Sequence, residues 1–253
     1  MIYIKDYVVV NIGLTSNINQ DNIYCNGIYL NENNNGINNY KIKTSKLSNN
    51  IYAVFDGIGG LSNGQLASYI SSNILSKSKD KNINDILNTI NNNIIEYNKN
   101  NNTNIGTTAS IVKISKSGID ISEVGDSPVF ILHDNEVTKI VEHDSNDNML
   151  NNYLGCNNLN IKNTNIKLRN KGKILICSDG LTKEVGINEI EYFLKHDNNL
   201  KYIGDKLVNF ALKNGGKDNI SIILIEYSKS YIEMVITILV SIMLAIGIIL
   251  LIH

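Results

Sequence analysis

Apolar and polar residues alternate along several short stretches of the chain, and Asn, Gly or Ser bounds most of these stretches. A repeat of two residues predicts β-strands that bury one face, and the abundance of Ile, Val and Tyr favours the same assignment. The predicted strands cover residues 3–12, 22–30, 40–45, 51–55, 107–114, 118–124, 128–132, 161–168, 173–177 and 219–226.

Apolar residues recur at intervals of three and four in three longer stretches, which predicts amphipathic helices over residues 64–79, 83–98 and 200–213. The first two helices follow one another and do not alternate with strands. This arrangement indicates an α+β layered sandwich rather than a doubly wound parallel sheet. Residues 1–228 contain no internal repeat and no long linker, so we expect them to form one domain.

The C-terminal segment has a different pattern from the rest of the chain. Residues 234–252 are uncharged and almost wholly apolar, and about 19 residues in a helix extend about 28 Å, close to the bilayer core of about 30 Å. A buried core helix is the alternative, but helices of that kind rarely lack a polar face over this length. We therefore expect residues 229–253 to form a short tether and a single-pass transmembrane helix.

The flanking sequences favour a cytoplasmic domain on a membrane anchor. The N-terminus lacks the apolar region and cleavage site of a signal peptide, and Lys213, Lys217 and Lys229 precede the apolar segment. The three Cys residues are far apart and odd in number, which is typical of a reduced compartment rather than of a disulfide framework.

Composition excludes two further classes of protein. With Lys+Arg 23 against Asp+Glu 24, the chain has no excess positive charge with which to bind a nucleic acid. A hydrophobic content of 43% and a charged content of 19% exclude wholesale disorder. Asn and Ile are unusually frequent, so runs of Asn carry little information.

The informative pattern is an apolar strand that runs into an Asp followed by a small or turn-forming residue. It occurs at Asp56, Asp126, Asp179 and Asp218. One such Asp is usually an ordinary turn residue, but four at the rims of one sandwich can converge, and converging carboxylates repel unless cations neutralise them. Oxygen ligands select Mg²⁺ or Mn²⁺, whereas Zn²⁺ prefers the nitrogen and sulfur ligands that have no suitable spacing here.

Other kinds of site fit the sequence less well. A calcium loop could begin at Asp144, but Met149 and Gly155 occupy the positions that require Gly and Glu. The glycines that follow Asp56 are not followed by Gly-Lys-Ser/Thr, which excludes a P-loop. No Gly-x-Ser-x-Gly motif is present, and Cys177 lies in a predicted buried strand. Water activated by two divalent cations is the chemistry that remains.

Six short motifs follow one another in a fixed order between about residues 3 and 227, and together they resemble the PPM/PP2C family of metal-dependent protein serine/threonine phosphatases. The resemblance implies a four-layer αββα sandwich, in which two antiparallel sheets are flanked by pairs of helices. The motifs are GLTSNINQD (13–21), VFDGIGG (54–60), GTT (106–108), VGDS (124–127), CSDGLT (177–182) and GGKDNIS (215–221).

The resemblance also implies the roles of individual residues. Asp56 would bridge two Mg²⁺ or Mn²⁺ ions, with the carbonyl of Gly57 beside it, and Asp179 and Asp218 would complete the shell of the first ion. These three aspartates are the candidate catalytic residues, because they would position a hydroxide that bridges the metals. Asp126 and Asp179 match the third metal site of bacterial members, and Asp21 matches an acidic residue that acts partly through water.

The chain departs from the family pattern at several positions. Ser16 stands where the family usually has an Arg that grips the substrate phosphate, and Gln20 replaces the usual Glu. Ile58 occupies the place of a His proposed as general acid in eukaryotic members, and Pro128 replaces a common Arg, which predicts an edge strand or a bulge. Residues 143–155 contain almost none of the flap that the family inserts beside its active site, which leaves the cleft open.

The leading interpretation is a membrane-tethered, Mg²⁺- or Mn²⁺-dependent phosphatase that acts on phosphoserine and phosphothreonine in proteins and opposes a kinase of the same cell. The alternative is a catalytically impaired relative that binds phosphoproteins at the membrane as a scaffold. Loss of the phosphate-gripping Arg at Ser16 favours the alternative, and retention of four converging aspartates favours the enzyme.

Overall fold

The computed structural model of the protein describes residues 2–32, 43–46, 50–58, 63–78, 81–140 and 152–229. Two six-stranded sheets and a two-stranded ribbon account for the strands of these ranges, and every strand pair is antiparallel. The prediction of an α+β sandwich is confirmed.

The described part of the chain contains fourteen strands. Most of them begin or end within a few residues of the predicted bounds. In chain order they are β1 (Ile2–Asn11), β2 (Asn22–Cys25), β3 (Ile28–Tyr29), β4 (Lys43–Lys46), β5 (Asn50–Phe55), β6 (Gly57–Ile58), β7 (Gly106–Thr107), β8 (Ala109–Ile114), β9 (Ile119–Val124), β10 (Val129–His133), β11 (Glu136–Lys139), β12 (Lys162–Ile166), β13 (Lys171–Cys177) and β14 (Ile220–Lys229).

Five helices accompany the strands in the described ranges. Asn82 caps the second of them by accepting a hydrogen bond from the backbone N–H of Asn84, and Asn199 caps the last by accepting one from that of Tyr202. The helices are α1 (Gly64–Lys77), α2 (Ile83–Asn101), α3 (Asp179–Thr182), α4 (Ile187–His196) and α5 (Leu200–Lys213).

Three apolar clusters define four layers. The first sheet has the order β11-β10-β13-β14-β1-β4, and the second has the order β12-β9-β8-β5-β2-β3. One cluster, with Val8, Val54 and Ile223 among its members, lies between the sheets. A second packs α3, α4 and α5 on the first sheet, and a third packs α1 and α2 on the second sheet. The αββα arrangement implied by the family resemblance is therefore present.

The structure differs from the predicted elements in a few places. The predicted strand 22–30 is a hairpin, because Asn26 and Gly27 adopt positive φ angles of 49° and 102° and turn the chain. Helix α4 and strand β11 were not predicted. Of the two alternatives predicted for Pro128, the edge strand is wrong, since Pro128 directly precedes β10, which is paired on both sides.

Several predictions fall on residues outside the described ranges. These are the transmembrane helix at 234–252, the calcium-loop alternative at 144–149 and most of the short flap connection at 143–155. The domain boundary predicted at 228 lies one residue before the end of β14 at Lys229. None of the helices within the described ranges combines the length and the apolar character that crossing a bilayer requires.

Candidate metal centre

The predicted aspartates lie at the ends of strands, on one rim of the sandwich. Asp21 directly precedes β2, Asp56 separates β5 from β6, and Asp126 follows β9. Asp179 begins α3 directly beyond β13, and Asp218 precedes β14. The negative charges of the other four aspartates all act on Asp56, so the structure brings the five predicted carboxylates together.

The loop that carries Asp21 is fastened beside Asp218 by the side chain of Asn219. The Asn219 amide donates hydrogen bonds to the carbonyls of Ile12 at 2.8 Å and Ile18 at 3.3 Å, and its oxygen accepts one from the Gln20 N–H at 2.8 Å. Because one buried side chain spans the whole loop, Asp21 and Asp218 are held as a unit although 197 residues separate them.

The backbone of Asp56 is fixed by two threonines. Its N–H donates to the hydroxyl oxygen of Thr108 at 3.0 Å, and its carbonyl accepts from the Thr108 N–H at 2.8 Å and from the Thr107 hydroxyl at 2.9 Å. With both backbone groups engaged, the Asp56 carboxylate projects from a rigid turn. The GTT motif around residue 107 thus has a positioning role.

The turn at Gly57 has no room for a side chain. A Cβ at this position would lie 2.4 Å from the carbonyl oxygen of Gly64 and 2.5 Å from that of Gln20. The Gly57 N–H donates to the same Gln20 carbonyl at 3.2 Å. The glycine therefore lets the start of α1, the Asp21 loop and the Asp56 turn meet at one point.

A second close approach brings Asp179 beside Asp218. A Cβ on Gly180 would lie 2.0 Å from the carbonyl oxygen of Asn219 and 3.2 Å from Cβ of Asp218. Ser178 supports the same contact, because its hydroxyl accepts from the Ser221 N–H at 2.9 Å and its own N–H donates to the Ser221 carbonyl at 3.0 Å. Both segments are thereby held in register at the rim.

Burial and mutual repulsion shift the protonation of these groups. Burial raises the pKa of Asp21 to about 7, and the charges of Asp218 and Asp179 add to the rise while the hydroxyls of Ser221 and Ser178 oppose it. Burial also raises the pKa of Asp179 to about 6, against the opposing contact with Lys183. The pKa of Asp56 is raised well above its usual value by burial and then by the four neighbouring charges.

Several carboxylate oxygens at the centre lack a hydrogen-bond donor. Both oxygens of Asp21 and Oδ1 of Asp179 are buried and make no hydrogen bond of ordinary length and angle in the described part of the protein, although the hydroxyls of Ser221 and Ser178 lie near Asp21. Buried polar atoms nearly always have a hydrogen-bond partner, so carboxylate oxygens that lack one fit a ligand that accepts their lone pairs. A hard divalent cation is such a ligand, and five carboxylates supply the charge to hold more than one.

The arrangement is an open site rather than a preformed cage. Among the residues that the structure describes, no three His, Cys, Asp or Glu side chains are placed to coordinate a single ion. Binding a cation would therefore require the acidic side chains to move inward. The predicted ligand roles of Asp21, Asp56, Gly57, Asp126, Asp179 and Asp218 remain predictions, which the structure supports by placing these residues together.

Lys183 is a functional candidate that the sequence did not reveal. Its Nζ lies 2.8 Å from Oδ2 of Asp179 and 3.0 Å from Oδ2 of Asp218. Although burial opposes the charged form, these two contacts raise the pKa of Lys183 above its usual value. The spacing of four between Asp179 and Lys183 is visible in the sequence, but the contact with Asp218 depends on the fold.

The remaining predictions about single residues have varied outcomes. Cys177 is fully buried, and burial raises the pKa of its thiol, which agrees with the exclusion of a cysteine nucleophile. Ser16 lies in the Asp21 loop and is partly exposed. Ile58, which stands where eukaryotic members of the family have a His proposed as general acid, lies in β6 of the two-stranded ribbon, opposite Gly106.

Comparison with known proteins agrees with the motifs and the fold. The family model described as "Protein phosphatase 2C" matches residues 25–148. The chain is 28% identical over 143 residues to the serine/threonine phosphatase stp of Listeria welshimeri, an alignment that covers 48% of this chain and 57% of the relative. It is 25% identical over 211 residues to the stp protein of Listeria monocytogenes serotype 4b, covering 70% and 84%.

The chain is thus similar to the protein phosphatase 2C family over residues 25–148, a little under half of its length. Solved structures of similar fold include the catalytic domain of the serine/threonine protein phosphatase PstP in complex with two manganese ions, with a TM-score of 0.75, 19% identity and coverage of 90% of this chain and 100% of that one. The S. agalactiae serine/threonine phosphatase gives a TM-score of 0.71 at 21% identity, with 88% of this chain and 98% of that one covered. The chain spans a little over half of the L. welshimeri relative, at 57% of its length.

Proposed function

We propose that the protein is a metal-dependent phosphatase that removes phosphate from phosphoserine and phosphothreonine in proteins. One observation carries the proposal: five aspartates from five strand ends share one rim, and buried oxygens of Asp21 and Asp179 lack hydrogen-bond donors. The similarity to stp and PstP, which are described as serine/threonine phosphatases, supports the same activity.

The residues present fit two Mg²⁺ or Mn²⁺ ions, as in the manganese complex of PstP. Asp56, Asp179 and Asp218 would hold the ions, with the carbonyl of Gly57 nearby, and Asp126 would serve a third. When bound, the ions supply an activated water and neutralise charge on the phosphoryl oxygens. The protein contributes rigid placement of the carboxylates, through Asn219 at one loop and Thr108 at another.

The proposed substrates are phosphorylated segments on the surface of other proteins. Asp218 and Lys183 are about half exposed, with side-chain exposures of 43% and 54%, so the acidic rim is accessible from solvent. Ser16 cannot form the paired hydrogen bonds that an Arg makes with a phosphate. We therefore expect weak affinity for the phosphate group and strong dependence of turnover on the metals. A Ser/Thr kinase of the same cell would supply the substrates.

The test is phosphate release from a phosphothreonine peptide by the full chain, purified in detergent. We expect hydrolysis with Mn²⁺ and none with EDTA. An absence of hydrolysis with Mn²⁺ and with Mg²⁺, together with retained binding of the phosphopeptide, would favour the alternative of a catalytically impaired scaffold. The residue that favours this alternative is Ser16, and the retained carboxylates weigh against it.

We also propose that residues 234–252 tether the domain to a membrane, with the active site on the cytoplasmic side. The support is the uncharged apolar character of this segment and its distance of a few residues from the end of β14. A short tether would favour substrates on the same membrane. Fractionation tests the proposal: the full chain should require detergent, and a chain ending at Lys229 should stay in the supernatant. Recovery of the full chain without detergent would contradict it.

A further inference from the structure

We propose that Lys183 is a built-in counter-cation that holds Asp179 and Asp218 together when metal is absent and must leave before metal binds. It would thereby set the metal concentration at which the site fills. The inference rests on the proposed metal centre, and it concerns a residue that lies just beyond the CSDGLT motif (177–182).

The geometry places Lys183 between two predicted metal ligands. Its Nζ contacts Oδ2 of Asp179 at 2.8 Å and Oδ2 of Asp218 at 3.0 Å. These two aspartates come from different segments, one at the start of α3 and the other two residues before β14. A single ammonium group thus links the two segments that the centre needs to bring together.

Lys183 differs from the ordinary surface lysines of this protein. Lys195 pairs with Glu191, four residues earlier on α4, and Lys201 pairs with Asp205, four residues later on α5; such pairs are worth little to stability. Lys183 makes the same local contact with Asp179 and adds a second contact with a carboxylate 35 residues away. Its partner Asp179 is only 17% exposed, so the ion pair is partly shielded from water.

An ammonium group and a divalent cation compete for the same carboxylate oxygens. The N–H groups of Lys183 occupy lone pairs of the Oδ2 atoms that a metal would need, and the positive charges repel each other at such short range. The Lys183 side chain is 54% exposed and flexible, so it can swing into solvent when a metal displaces it. Metal binding is then an exchange of one cation for another.

Removal of Lys183 should therefore have two opposite effects, one on the stability of the metal-free protein and one on its affinity for metal. In the metal-free protein, loss of Lys183 leaves the carboxylates with uncompensated repulsion and should lower stability. In the metal-bound protein, the same loss removes a competitor and should raise affinity for the ion. A lysine that merely stabilises the fold would produce the first effect and not the second.

The experiment is calorimetric titration of Mn²⁺ into the full chain in detergent, with thermal unfolding in EDTA as a second readout. The variants are Lys183→Gln, which removes the charge, Lys183→Arg, which keeps it, and Lys201→Gln, a control at a remote ion pair of the same type. We expect Lys183→Gln to bind Mn²⁺ about 10-fold more tightly than wild type and to unfold at a lower temperature in EDTA. Lys183→Arg and Lys201→Gln should resemble wild type.

Equal or weaker Mn²⁺ binding by Lys183→Gln, with wild-type binding intact, would overturn this inference and leave the proposed metal centre standing. Absence of Mn²⁺ binding by the wild type would overturn both. If Lys183→Gln folds only with Mn²⁺, the inference is supported. If it fails to fold with and without Mn²⁺, Lys183 has a structural role in both states and the inference is wrong.

Discussion

Two regions of the sandwich bury ionisable groups in opposite ways. Lys173, in the part of β13 far from the metal centre, is 5% exposed, and its Nζ donates to the carbonyls of Leu194, at 2.8 Å, and Asp197. Asp21, at the candidate metal centre, is 3% exposed, yet within the described structure neither of its carboxylate oxygens accepts a hydrogen bond of ordinary length and angle. One charge is satisfied by the fold itself, and the other is not.

The contrast separates structure from function. Burying a charge is costly unless partners replace the water it loses. At Lys173 the carbonyls at the end of α4 provide those partners, so the group joins α4 to the sheet. At the acidic rim the fold gathers like charges and leaves oxygens free. Such an arrangement is stable when a further cation joins it, which is the basis of the proposed function.

The largest expected effect is at the rim. Asp179→Asn removes a charge from a centre that must offset at least two dications, so we expect Mn²⁺-dependent hydrolysis to fall by about 100-fold or more. Phosphate release from a phosphothreonine peptide is the measurement. Asp120→Asn, which changes an aspartate of β9 that bonds to Asn165, is the matched control and should retain activity. Activity of Asp179→Asn within a few-fold of wild type would show that this carboxylate is not a ligand.

At Lys173, whose charge is satisfied by buried carbonyls, we expect a substitution to lower stability without lowering phosphatase activity. Lys173→Met leaves the buried carbonyls of Leu194 and Asp197 without their donor, which should lower the free energy of unfolding by about 2–3 kcal/mol. Urea denaturation measures this change, and the exposed Lys171 of the same strand, changed to Met, serves as the control. A Lys173→Met protein as stable as wild type would remove the distinction between the two regions.

The dependence of stability on pH directly tests the acidic rim, where Asp21 and Asp179 are buried. Asp21 and Asp179 have pKa values raised to about 7 and about 6, so between about pH 4 and pH 7 the folded state binds more protons than the unfolded state. Stability of the metal-free protein should therefore fall as pH rises through this window.

Thermal unfolding in EDTA at a series of pH values measures that fall. Asp21→Asn should flatten the dependence, and saturating Mn²⁺ should remove it because the ions compensate the carboxylates. Metal-free stability that rises from pH 4 to pH 7 would mean that the carboxylates are already compensated within the fold.

The smallest expected effect concerns substrate binding. If the missing guanidinium limits affinity for the phosphate, Ser16→Arg should lower KM for a phosphopeptide by up to about 10-fold, through one charge-assisted pair. Steady-state kinetics with Mn²⁺ saturated measure this change, and Ser16→Gln, which lacks the charge, is the control. An unchanged KM in a folded, metal-loaded Ser16→Arg protein would indicate that another cation holds the phosphate.

The sequence predicts the strand ends of the site well because their signal is local. At Asp56 and Asp179 an apolar run ends in Asp-Gly, and the packing that requires Gly57 and Gly180 explains why the pattern is Asp-Gly. The sandwich then places these ends on one rim. The same logic predicted β14 and α5, whose patterns are long and regular.

Other features could not be predicted, because their local patterns are weak or because they depend on contacts between distant segments. Helix α4 is short and directly follows a turn at Gly186, so its ten residues offer few apolar repeats to detect. The hairpin at Asn26 was hidden because a turn of Asn and Gly looks ordinary in a chain rich in Asn. The link from Lys183 to Asp218 exists only once α3 and β14 have packed together.

The central claim is that the five aspartates form a metal centre. The most direct test is anomalous X-ray diffraction from crystals of the protein soaked in Mn²⁺. We predict at least two anomalous peaks that contact Asp56, with Asp179 and Asp218 among the other ligands and Lys183 turned away from them. Crystals that show no peak among the five carboxylates at saturating Mn²⁺ would contradict the account.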